Sequence, residues 1–314
     1  MTGAGTAAAG PTLLRTTQGE LDLAGAPWLM GIVNATPDSF SDGGEHGTLE
    51  SQFGLARQLV QEGARIIDVG GESGVTDRPP VPAELEIERV VPLVQRVRAE
   101  LGVVVSVDTY KAAVAEAAIA AGAGIVNDIS GLRDPEVADV CAATGAALVL
   151  MHTRAAPKHK LLEPVGDETV VGDVSALLSE RIEAATARGV AFSQLLLDPG
   201  PDFGKTPSQT VAALRALGEL HRFGRPLLLA VSRKDFIGAI LHAPPRERLA
   251  GTLAAIGYGV QAGAHVVRVH DVRAAADFLA VQGILRGEAE VSSDLRLPEE
   301  LRRQRRPVPV SPPR

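Results

Sequence analysis

Residues 28–34 read WLMGIVN, an apolar run of strand length that ends on the polar residue Asn34. Seven further short apolar runs follow along the chain, and nearly all of them end on a side chain able to do chemistry. They are RIIDVGGE at 65–72, VVVSVD at 103–108, GIVND at 124–128, ALVLMH at 147–152, LLLD at 195–198, LLLAVSRK at 227–234 and HVVRVH at 265–270. A buried parallel strand has no structural need for a polar last residue. A series of eight such endings therefore points to one shared cause.

A (β/α)8 TIM barrel provides that cause, because its parallel strands bring their C-terminal ends to one face, where active sites are built. The chain has 314 residues, of which 45% are hydrophobic, and this is enough for one barrel of about 250 residues with tails. Between the runs lie stretches whose apolar spacing predicts amphipathic helices. The clearest of these predicted helices cover 50–62, 83–101, 111–121, 173–188 and 207–220. We therefore predict the α/β class, with strand and helix alternating eight times.

The ends of the chain differ from this pattern. Residues 11–26 contain two strand-like pieces around Gln18 and Gly19, which predicts a hairpin plugging the barrel floor. Residues 287–314 end in RRQRRPVPVSPPR, which is rich in arginine and proline but offers little to pack. We predict disordered tails at 1–10 and 287–314 around a single barrel domain at 11–286.

Composition excludes several classes of function. The chain has 31 Lys plus Arg against 38 Asp plus Glu, and a net charge of -7 argues against a nucleic-acid partner. We find no apolar run of about 18 residues and no export signal, so we expect a cytoplasmic protein without a membrane partner. The single cysteine, Cys141, predicts a small buried side chain rather than a disulfide or a zinc site. A small-molecule ligand is the expectation that remains.

Three acidic or amide side chains end the third, fourth and sixth runs. Asp108, Asn127 and Asp198 would meet at the mouth of a barrel and could bind a ligand rich in N–H donors, such as a fused nitrogen heterocycle. The alternative for any one of them is a structural role, as a helix cap or a partner of a lysine.

Basic and imidazole side chains end other runs. Arg268 and His270 alternate with valines and so point to the same side of the last strand, and the first strand, which closes the barrel beside it, delivers Asn34. Together they predict an anion pocket suited to phosphate. Arg268 alone could equally be a structural ion pair, and His152 is either a ligand contact or a histidine bonded to a backbone carbonyl.

The polar loop NATPDSFSDGG at 34–44 follows the first strand and is typical of a catalytic loop. Its hard oxygen donors, among them Asp42 and Asn34, could share Mg²⁺ with a diphosphate. A cluster of turn and helix-capping residues is the alternative explanation of the same composition.

Two lysines are further candidates. Lys234 follows Ser232 and Arg233 directly after the seventh run, which places its ammonium at the predicted mouth, within reach of a heterocycle carbonyl. Lys205 lies several residues beyond the sixth run, and its position is compatible with a surface lysine or with a ligand contact.

Laid end to end, these segments resemble the dihydropteroate synthases, folate-pathway enzymes that join a pterin methyl diphosphate to p-aminobenzoate. The resemblance spans about 30–272, in family order and with family spacing, and its motifs each occupy a distinct strand end. They are MGIVNATPDSFSDGG, GARIIDVGGES, SVDTYK, AGAGIVNDISGL, LVLMH, LLLDPGPDFGKT, VSRKDFIG and GAHVVRVHDV. The DFGK and KD features are similar to those of actinobacterial-type paralogues of the family.

The resemblance implies a role for each matching position. The positions that hold the pterin in the family correspond here to Asp108, Asn127, Asp198 and Lys234, with Met151 lining the pocket. Arg268 would lie over the pterin ring and, with His270 and Asn34, bind the diphosphate and its Mg²⁺; the loop residue Asp42 joins this catalytic set. The implied reaction begins with loss of pyrophosphate, after which the aryl amine attacks. The resemblance also implies a homodimer formed through outer helices.

The acceptor side departs from the family pattern at three places. GGESGVTDRPP replaces GGESTRPG, so Gly74 and Val75 stand at the ungapped positions, and Thr76 and Arg78 could serve if the loop shifts register. Pro201 and Asp202 replace a small glycine-containing pair, whereas Phe203, a wall of the benzoate pocket, is kept.

The third departure is Asp235, which follows Ser232, Arg233 and Lys234 where the family has a serine. Ser232 and Asp235 are both expected on the acceptor side. The family's serine opens a helix whose N–H groups receive the acceptor carboxylate. An aspartate there is expected to cap the helix itself and to repel the carboxylate.

Three functions are compatible with this combination. We expect a dihydropteroate synthase with an adapted acceptor pocket, whose substrates are a dihydropterin diphosphate and p-aminobenzoate. The alternatives are a pterin transferase that uses another amine acceptor and a non-catalytic, regulatory pterin-binding protein.

Overall fold

The computed structural model describes residues 12–36, 48–74, 79–159 and 166–302. Each of the eight apolar runs contains a β-strand, and a two-stranded hairpin precedes them. The strands are β1 (Leu13–Thr16), β2 (Gly19–Asp22), β3 (Trp28–Asn34), β4 (Ile66–Gly70), β5 (Val104–Asp108), β6 (Ile125–Asp128), β7 (Ala147–Met151), β8 (Leu195–Asp198), β9 (Leu228–Leu229) and β10 (Val266–Val269).

The eight later strands form one parallel sheet in the order β8-β7-β6-β5-β4-β3-β10-β9. A parallel bridge between Leu197 of β8 and Leu227, next to β9, joins the two ends of this sheet. The sheet is therefore closed, and the TIM barrel predicted from the sequence is confirmed. All strand C-termini lie at one mouth.

The helices pack around this barrel and cover its outer face. They are α1 (Leu49–Gln61), α2 (Ala83–Leu101), α3 (Ala112–Ala120), α4 (Glu136–Thr144), α5 (Asp167–Ala187), α6 (Pro207–Arg215), α7 (Asp235–Leu241), α8 (Leu249–Gln261) and α9 (Val272–Leu285). The predicted helix at 173–188 in fact begins six residues earlier, and the one at 207–220 ends at Arg215. A 3-10 segment, Leu217–Phe223, takes over there.

The N-terminal hairpin plugs the floor of the barrel, as predicted. Leu14, Leu21 and Leu23 pack against Trp28 and Met30 in a cluster separate from the main core. The turn is held by Gln18, whose Nε2 donates to the Gly122 carbonyl at 2.6 Å. The hairpin buries apolar surface at the end of the barrel that lies away from the strand C-termini.

The main core lies between the strands and the helices and consists mainly of Val, Leu, Ile and Ala. Cys141 of α4 is fully buried within it, and burial raises the pKa of its thiol to about 12, as suits the structural role expected of it. After α9 the chain from 287 to 301 is exposed and contains only a short 3-10 turn, Glu299–Leu301. Within the described ranges, no helix is both long and apolar enough to cross a bilayer.

Gly238 allows Arg248 to pack against α7. The Arg248 guanidinium donates to the carbonyls of Ala243 and Arg233 at 2.9 and 2.8 Å, which ties the segment before α7 to the segment after it. A Cβ atom at Gly238 would overlap this guanidinium.

Gly238→Ala should therefore lower the free energy of unfolding by about 1–3 kcal/mol through overpacking. Gly172→Ala is the matched control, because Gly172 is exposed in α5 and its added Cβ would meet nothing within 4 Å. Helix propensity predicts a gain of roughly 0.5–1 kcal/mol for the control. Urea unfolding of both variants measures the two effects, and equal stabilities would contradict this account of Gly238.

Candidate active site

A row of polar side chains crosses the mouth of the barrel. Asn34 pairs in register with Gly70, Gly70 with Asp108, and Asp108 with Asn127, so these positions lie side by side on β3 to β6. Gly70 has no side chain and leaves an open position in the row. A Cβ placed there would lie 3.6 Å from Asp108 Cβ and 3.9 Å from Asn34 Oδ1.

Arg268 lies on β10, which pairs with β3 at one end of this row, and its side chain reaches β4 and β5. Its Nε donates to Asp68 Oδ2 at 2.6 Å, and its Nη2 donates to Asp108 Oδ2 at 2.7 Å. Asn127 Nδ2 donates to the same Asp68 oxygen at 3.2 Å. Asp68 is fully buried on β4, and the sequence analysis did not select it. The guanidinium therefore holds two carboxylates from neighbouring strands in fixed positions.

Burial and charge oppose each other in this cluster. Burial raises the pKa of Asp108 to about 7, against the attraction of Arg268. Burial also disfavours the charged guanidinium, but Asp68 and Asp108 outweigh it and raise the pKa of Arg268. Arg268 thus stays charged, whereas burial favours the protonated form of Asp108. A ligand that offers N–H donors would favour its carboxylate form.

Lys234 and Asp198 continue the cluster on the next strands. The Lys234 Nζ lies 4.2 Å from the centre of the Phe203 ring. Burial lowers the pKa of Lys234, and the nearby carboxylates of Asp202, Asp198 and Asp108 oppose that shift. Asp198 Oδ1 accepts the Gly200 N–H at 2.7 Å, so this carboxylate keeps its second oxygen for a ligand. The arrangement offers one ammonium and several acceptor oxygens to a polar ring.

His270 is held in position by Ser232. The Ser232 Oγ accepts the His270 backbone N–H at 3.2 Å and lies 2.9 Å from Nδ1 of the ring. The Ser232 hydroxyl can accept a second hydrogen bond or donate one, so it pairs with Nδ1 in either neutral tautomer of the ring. Burial, with Arg233 and Arg268 nearby, lowers the pKa of His270 to about 3. His270 is therefore a neutral N–H donor at physiological pH.

A cavity of about 620 Å³ opens beside these groups. Asp108, Phe203, Lys234 and Asp235 line it, whereas Asn34, Asn127, Asp198, Arg268 and His270 do not contribute to its wall. Asp108 and Lys234 connect the cavity to the Arg268 cluster, since both lie in the cavity wall and interact electrostatically with Arg268. The structure thus brings most of the predicted pterin and anion residues into one cluster.

An ion-pair network in the cavity wall was missed by the sequence analysis. Glu72 accepts hydrogen bonds from the Val81 N–H at 2.9 Å, the Tyr110 hydroxyl at 3.0 Å and the Lys111 Nζ at 2.6 Å. Lys158 Nζ lies 3.2 Å from Glu72, and Lys111 also bonds to Glu86 of α2. The network ties the loop after β4 to the loop after β7. Only the polar ending of GGES gave any signal of it.

Three other polar residues at the strand ends have structural roles. Asp128 accepts the N–H groups of Ser130 and Leu132 at 2.7 and 2.8 Å, which uses both of its oxygens. His152 is fully buried, and its Nε2 lies 3.1 Å from Asp173 Oδ2. Lys205 is not a surface lysine, because it is buried and its Nζ donates to the Gly200 carbonyl at 2.7 Å.

Other predicted contacts have different surroundings. Met151 ends β7 and is buried beneath Gly200, outside the cavity wall. Ser232, expected on the acceptor side, instead positions His270 and does not line the cavity. Asp42, Thr76 and Arg78 lie outside the described residues.

The prediction that Asp235 caps α7 was wrong. Its carboxylate makes no capping hydrogen bond at the start of α7, and Oδ1 accepts from Arg248 Nη1 at 2.9 Å instead. Asp235 is the first residue of the helix, and 90% of its side chain is exposed. Its charge is balanced by a guanidinium, which weakens the repulsion expected for an incoming carboxylate. Asp202 accepts the Phe236 N–H at 3.2 Å and occupies the capping position.

Burial lowers the pKa of His152 to about 4, so this ring is neutral in the folded protein. An unfolded histidine titrates near 6.5, and unfolding therefore takes up a proton as the pH falls below that value. The stabilisation from a neutral His152 is present above pH 6.5 and is lost as the pH falls towards 4.

Between pH 7 and pH 5 we expect His152 to account for about 2 kcal/mol of the loss of stability, and this share should be absent in His152→Gln, where an amide N–H can still reach Asp173. Urea unfolding at both pH values measures the difference between the two proteins. The control is His242→Asn, because His242 is exposed and has a left-handed backbone that asparagine tolerates. A pH slope that His152→Gln leaves unaltered would contradict the assignment.

Fold and site together define an α/β-barrel enzyme with a polar, charge-rich ligand site at the C-terminal ends of its strands. The sequence profile of the pterin binding enzyme family matches residues 30–270. This chain belongs to that family. It is 44% identical over 261 residues to the dihydropteroate synthase of Synechocystis, a match that covers 82% of this chain and 90% of the relative. It is 41% identical over 255 residues to the Escherichia coli enzyme, covering 81% and 90%.

Solved structures give the same result. The dihydropteroate synthase of Yersinia pestis, in a sulfonamide drug complex, superposes with a TM-score of 0.82 at 38% identity, covering 88% of this chain and all of the other. The Xanthomonas albilineans enzyme with 4-aminobenzoic acid superposes at 0.80 with 41% identity, covering 88% and 98%. The family expected from the sequence motifs is thus confirmed.

Proposed function

We propose that this chain is a dihydropteroate synthase, a transferase of folate biosynthesis that condenses 6-hydroxymethyl-7,8-dihydropterin diphosphate with p-aminobenzoate. The relatives at 38–44% identity carry that name, and one solved relative holds 7,8-dihydropteroate. The observation that carries the proposal is the Arg268 cluster. It places two carboxylates, an amide and a guanidinium at one barrel mouth.

The acceptor oxygens of this cluster suit the amino and N–H groups of a pterin. Asp108 and Asp198 each have one oxygen that bonds to no other described residue, and Asn127 offers its amide oxygen. Lys234 can donate to a ring carbonyl, and its contact with Phe203 keeps it at the cavity wall. A buried set of this kind rejects ligands that lack the matching donors, because its oxygens would then stay unpaired.

The anion-binding groups suit the leaving diphosphate. The Arg268 guanidinium carries positive charge, and the neutral His270 ring, held in position by Ser232, offers an N–H donor. When the C–O bond to the diphosphate breaks, both electrons leave with pyrophosphate, and these groups stabilise the charge. The aryl amine nitrogen then forms the C–N bond and loses a proton. No covalent bond to the protein is needed.

Mg²⁺ is part of the proposal. Asn34 lies beside the open position at Gly70 and makes no side-chain hydrogen bond to another described residue, so its Oδ1 is available as a hard oxygen ligand. Among the described residues no group of three His, Cys, Asp or Glu could hold the ion alone. Asn34 would therefore hold Mg²⁺ together with diphosphate oxygens, and Asp42 is a further proposed participant. The ion would neutralise charge on the leaving group.

The test uses purified protein, Mg²⁺, the dihydropterin diphosphate and p-aminobenzoate. We expect equal amounts of pyrophosphate and dihydropteroate, measured by a coupled phosphate assay and by mass spectrometry. Pyrophosphate release without dihydropteroate would favour the alternative of another amine acceptor. Pterin binding without turnover would favour a regulatory protein, and both results would contradict the proposal.

Assembly and location complete the proposal. Exposed apolar side chains on the outer helices α8 and α9, Tyr258, Val281, Ile284 and Leu285, support a homodimer formed through these helices. Light scattering after size exclusion tests the dimer, and a monomer at micromolar concentration would contradict it. We further propose that the enzyme acts in the cytoplasm, because its substrates are those of folate biosynthesis.

A further inference from the structure

Asp202 is fixed on the wall of the cavity by three hydrogen bonds. Its backbone N–H donates to Thr210 Oγ1 at 3.1 Å, and the Thr210 hydroxyl donates to Asp202 Oδ1 at 3.0 Å. Asp202 Oδ2 accepts the Phe236 N–H at 3.2 Å. Thr210 is fully buried on α6, so the carboxylate is anchored to two helices. The negatively charged carboxylate of Asp202 is therefore held in one position.

The backbone at Asp202 is also special. Its φ is 64°, in the left-handed region that favours glycine but that aspartate and asparagine also adopt. A glycine or an asparagine can thus replace it without new backbone strain. The neighbouring Phe203 lines the same cavity and contacts Lys234.

Lys234 and Lys205, which both line this part of the cavity, are each shared among several carboxylates. Asp68 and Asp108 already share Arg268, and Lys234 faces Asp198, Asp202 and Asp108 together. Asp235 is balanced by Arg248, whereas Asp202 has the shared charges of Lys234 and Lys205 and the dipole of the Phe236 N–H. The Lys205 Nζ donates to the Gly200 and Phe203 carbonyls, so this ammonium is already engaged. An anion that enters beside Phe203 meets a fixed like charge.

We infer that Asp202 determines acceptor specificity, by weakening the binding of anionic aryl amines and by admitting uncharged aryl amines as acceptors. This inference depends on the proposed synthase function and deepens it, because it names the chemical class that the acceptor side takes. A carboxylate on the acceptor ring cannot form a favourable contact with the Asp202 carboxylate, whereas a carboxamide can donate an N–H to it.

The test compares p-aminobenzoate with its uncharged amide, p-aminobenzamide, at saturating pterin diphosphate. Asp202→Asn removes the charge and keeps the shape, and Asp202→Gly removes the side chain. In both variants the ratio of kcat/KM for the acid to that for the amide should rise roughly tenfold, as expected when one like charge is removed near the acceptor in a partly solvated site.

The control is Asp134→Asn. Asp134 also accepts a backbone N–H at the start of a helix, from Glu136 at 3.0 Å, but it does not line the cavity. Its acid-to-amide ratio should equal that of the unchanged protein. A ratio that stays constant in both Asp202 variants, or rises equally in the control, would overturn the inference while leaving the synthase function intact.

Thermal unfolding of each variant separates loss of folding from loss of specificity, and the ratio itself does not depend on the amount of folded enzyme. If the unchanged protein forms product with neither amine, the proposed function fails and the inference fails with it. Product from the amide at a rate within tenfold of the acid in the unchanged protein would support the inference. Complete rejection of the amide by all variants would contradict it.

Discussion

Arg268→Ala should lower kcat/KM for dihydropteroate formation by about a thousandfold or more, which would be the largest effect of a single substitution. The guanidinium bonds to Asp68 at 2.6 Å and to Asp108 at 2.7 Å, and both carboxylates would be left without it in a buried site. Removing one partner of a buried ion pair typically costs about 3–5 kcal/mol. The diphosphate would lose its nearest guanidinium at the same time.

Removal of the Arg268 guanidinium should change both the rate of the enzyme and the pH dependence of that rate. Without Arg268 the two carboxylates repel each other, so the pKa of Asp108 should rise further and the remaining activity should move to higher pH. Arg268→Lys should recover part of the rate only, because an ammonium cannot hold two carboxylates in the geometry of a planar fork. Steady-state rates between pH 6 and 9, corrected for folded protein by circular dichroism, measure both effects.

Arg273→Ala is the control for this experiment. Arg273 pairs with Asp277 on the surface of α9, and its side chain is 70% exposed. Exposed pairs of this kind contribute roughly 0.2–1 kcal/mol, so rate and stability should change little. If Arg268→Ala kept its kcat/KM within tenfold of the unchanged protein, the guanidinium would be only a structural element.

The sequence predicted the barrel because the pattern is local. Each strand is an apolar run followed by a polar residue, and each outer helix has its own apolar spacing, so no long-range contact is needed to recognise them. The family motifs then located Asp108, Asn127, Asp198, Lys234 and Arg268. Their convergence follows from the topology alone, because parallel strands end at one mouth.

Pairings across the barrel could not be predicted in the same way. Asp68 and Arg268 are separated by 200 positions, and Glu72 and Lys158 belong to loops after β4 and β7. Which aspartate caps α7 depends on a contact between Asp202 and Phe236, 34 positions apart. The sequence showed two acidic departures but could not tell that Asp235 would turn outward to Arg248.

Lys234→Met should lower kcat/KM by about a hundredfold, the second largest effect. Lys234 is the shared counter-charge of Asp108, Asp198 and Asp202, and its Nζ lies 4.2 Å from the centre of the Phe203 ring. Methionine keeps much of the apolar stem against Phe203 but leaves the carboxylates without this positive charge. The site then becomes more negative, which raises the pKa of its carboxyl groups and opposes an anionic diphosphate. Pterin affinity and rate should fall together.

Lys234→Arg and Arg246→Met separate charge from shape. In Lys234→Arg the charge is restored, but the guanidinium is planar and larger than an ammonium, so we expect partial recovery of pterin affinity. Arg246→Met is the control, because Arg246 is exposed and its loss should leave the rate unchanged. Isothermal titration with the pterin diphosphate measures affinity, and rapid quench measures the chemical step. Binding by Lys234→Met as tight as that of the unchanged protein would show that Phe203, and not the pterin, is the main partner of the ammonium. Weak binding of the pterin diphosphate with a normal chemical step would instead show that Lys234 acts only in recognition. The charge that develops on the departing diphosphate would then be stabilised by Arg268, His270 and the proposed Mg²⁺.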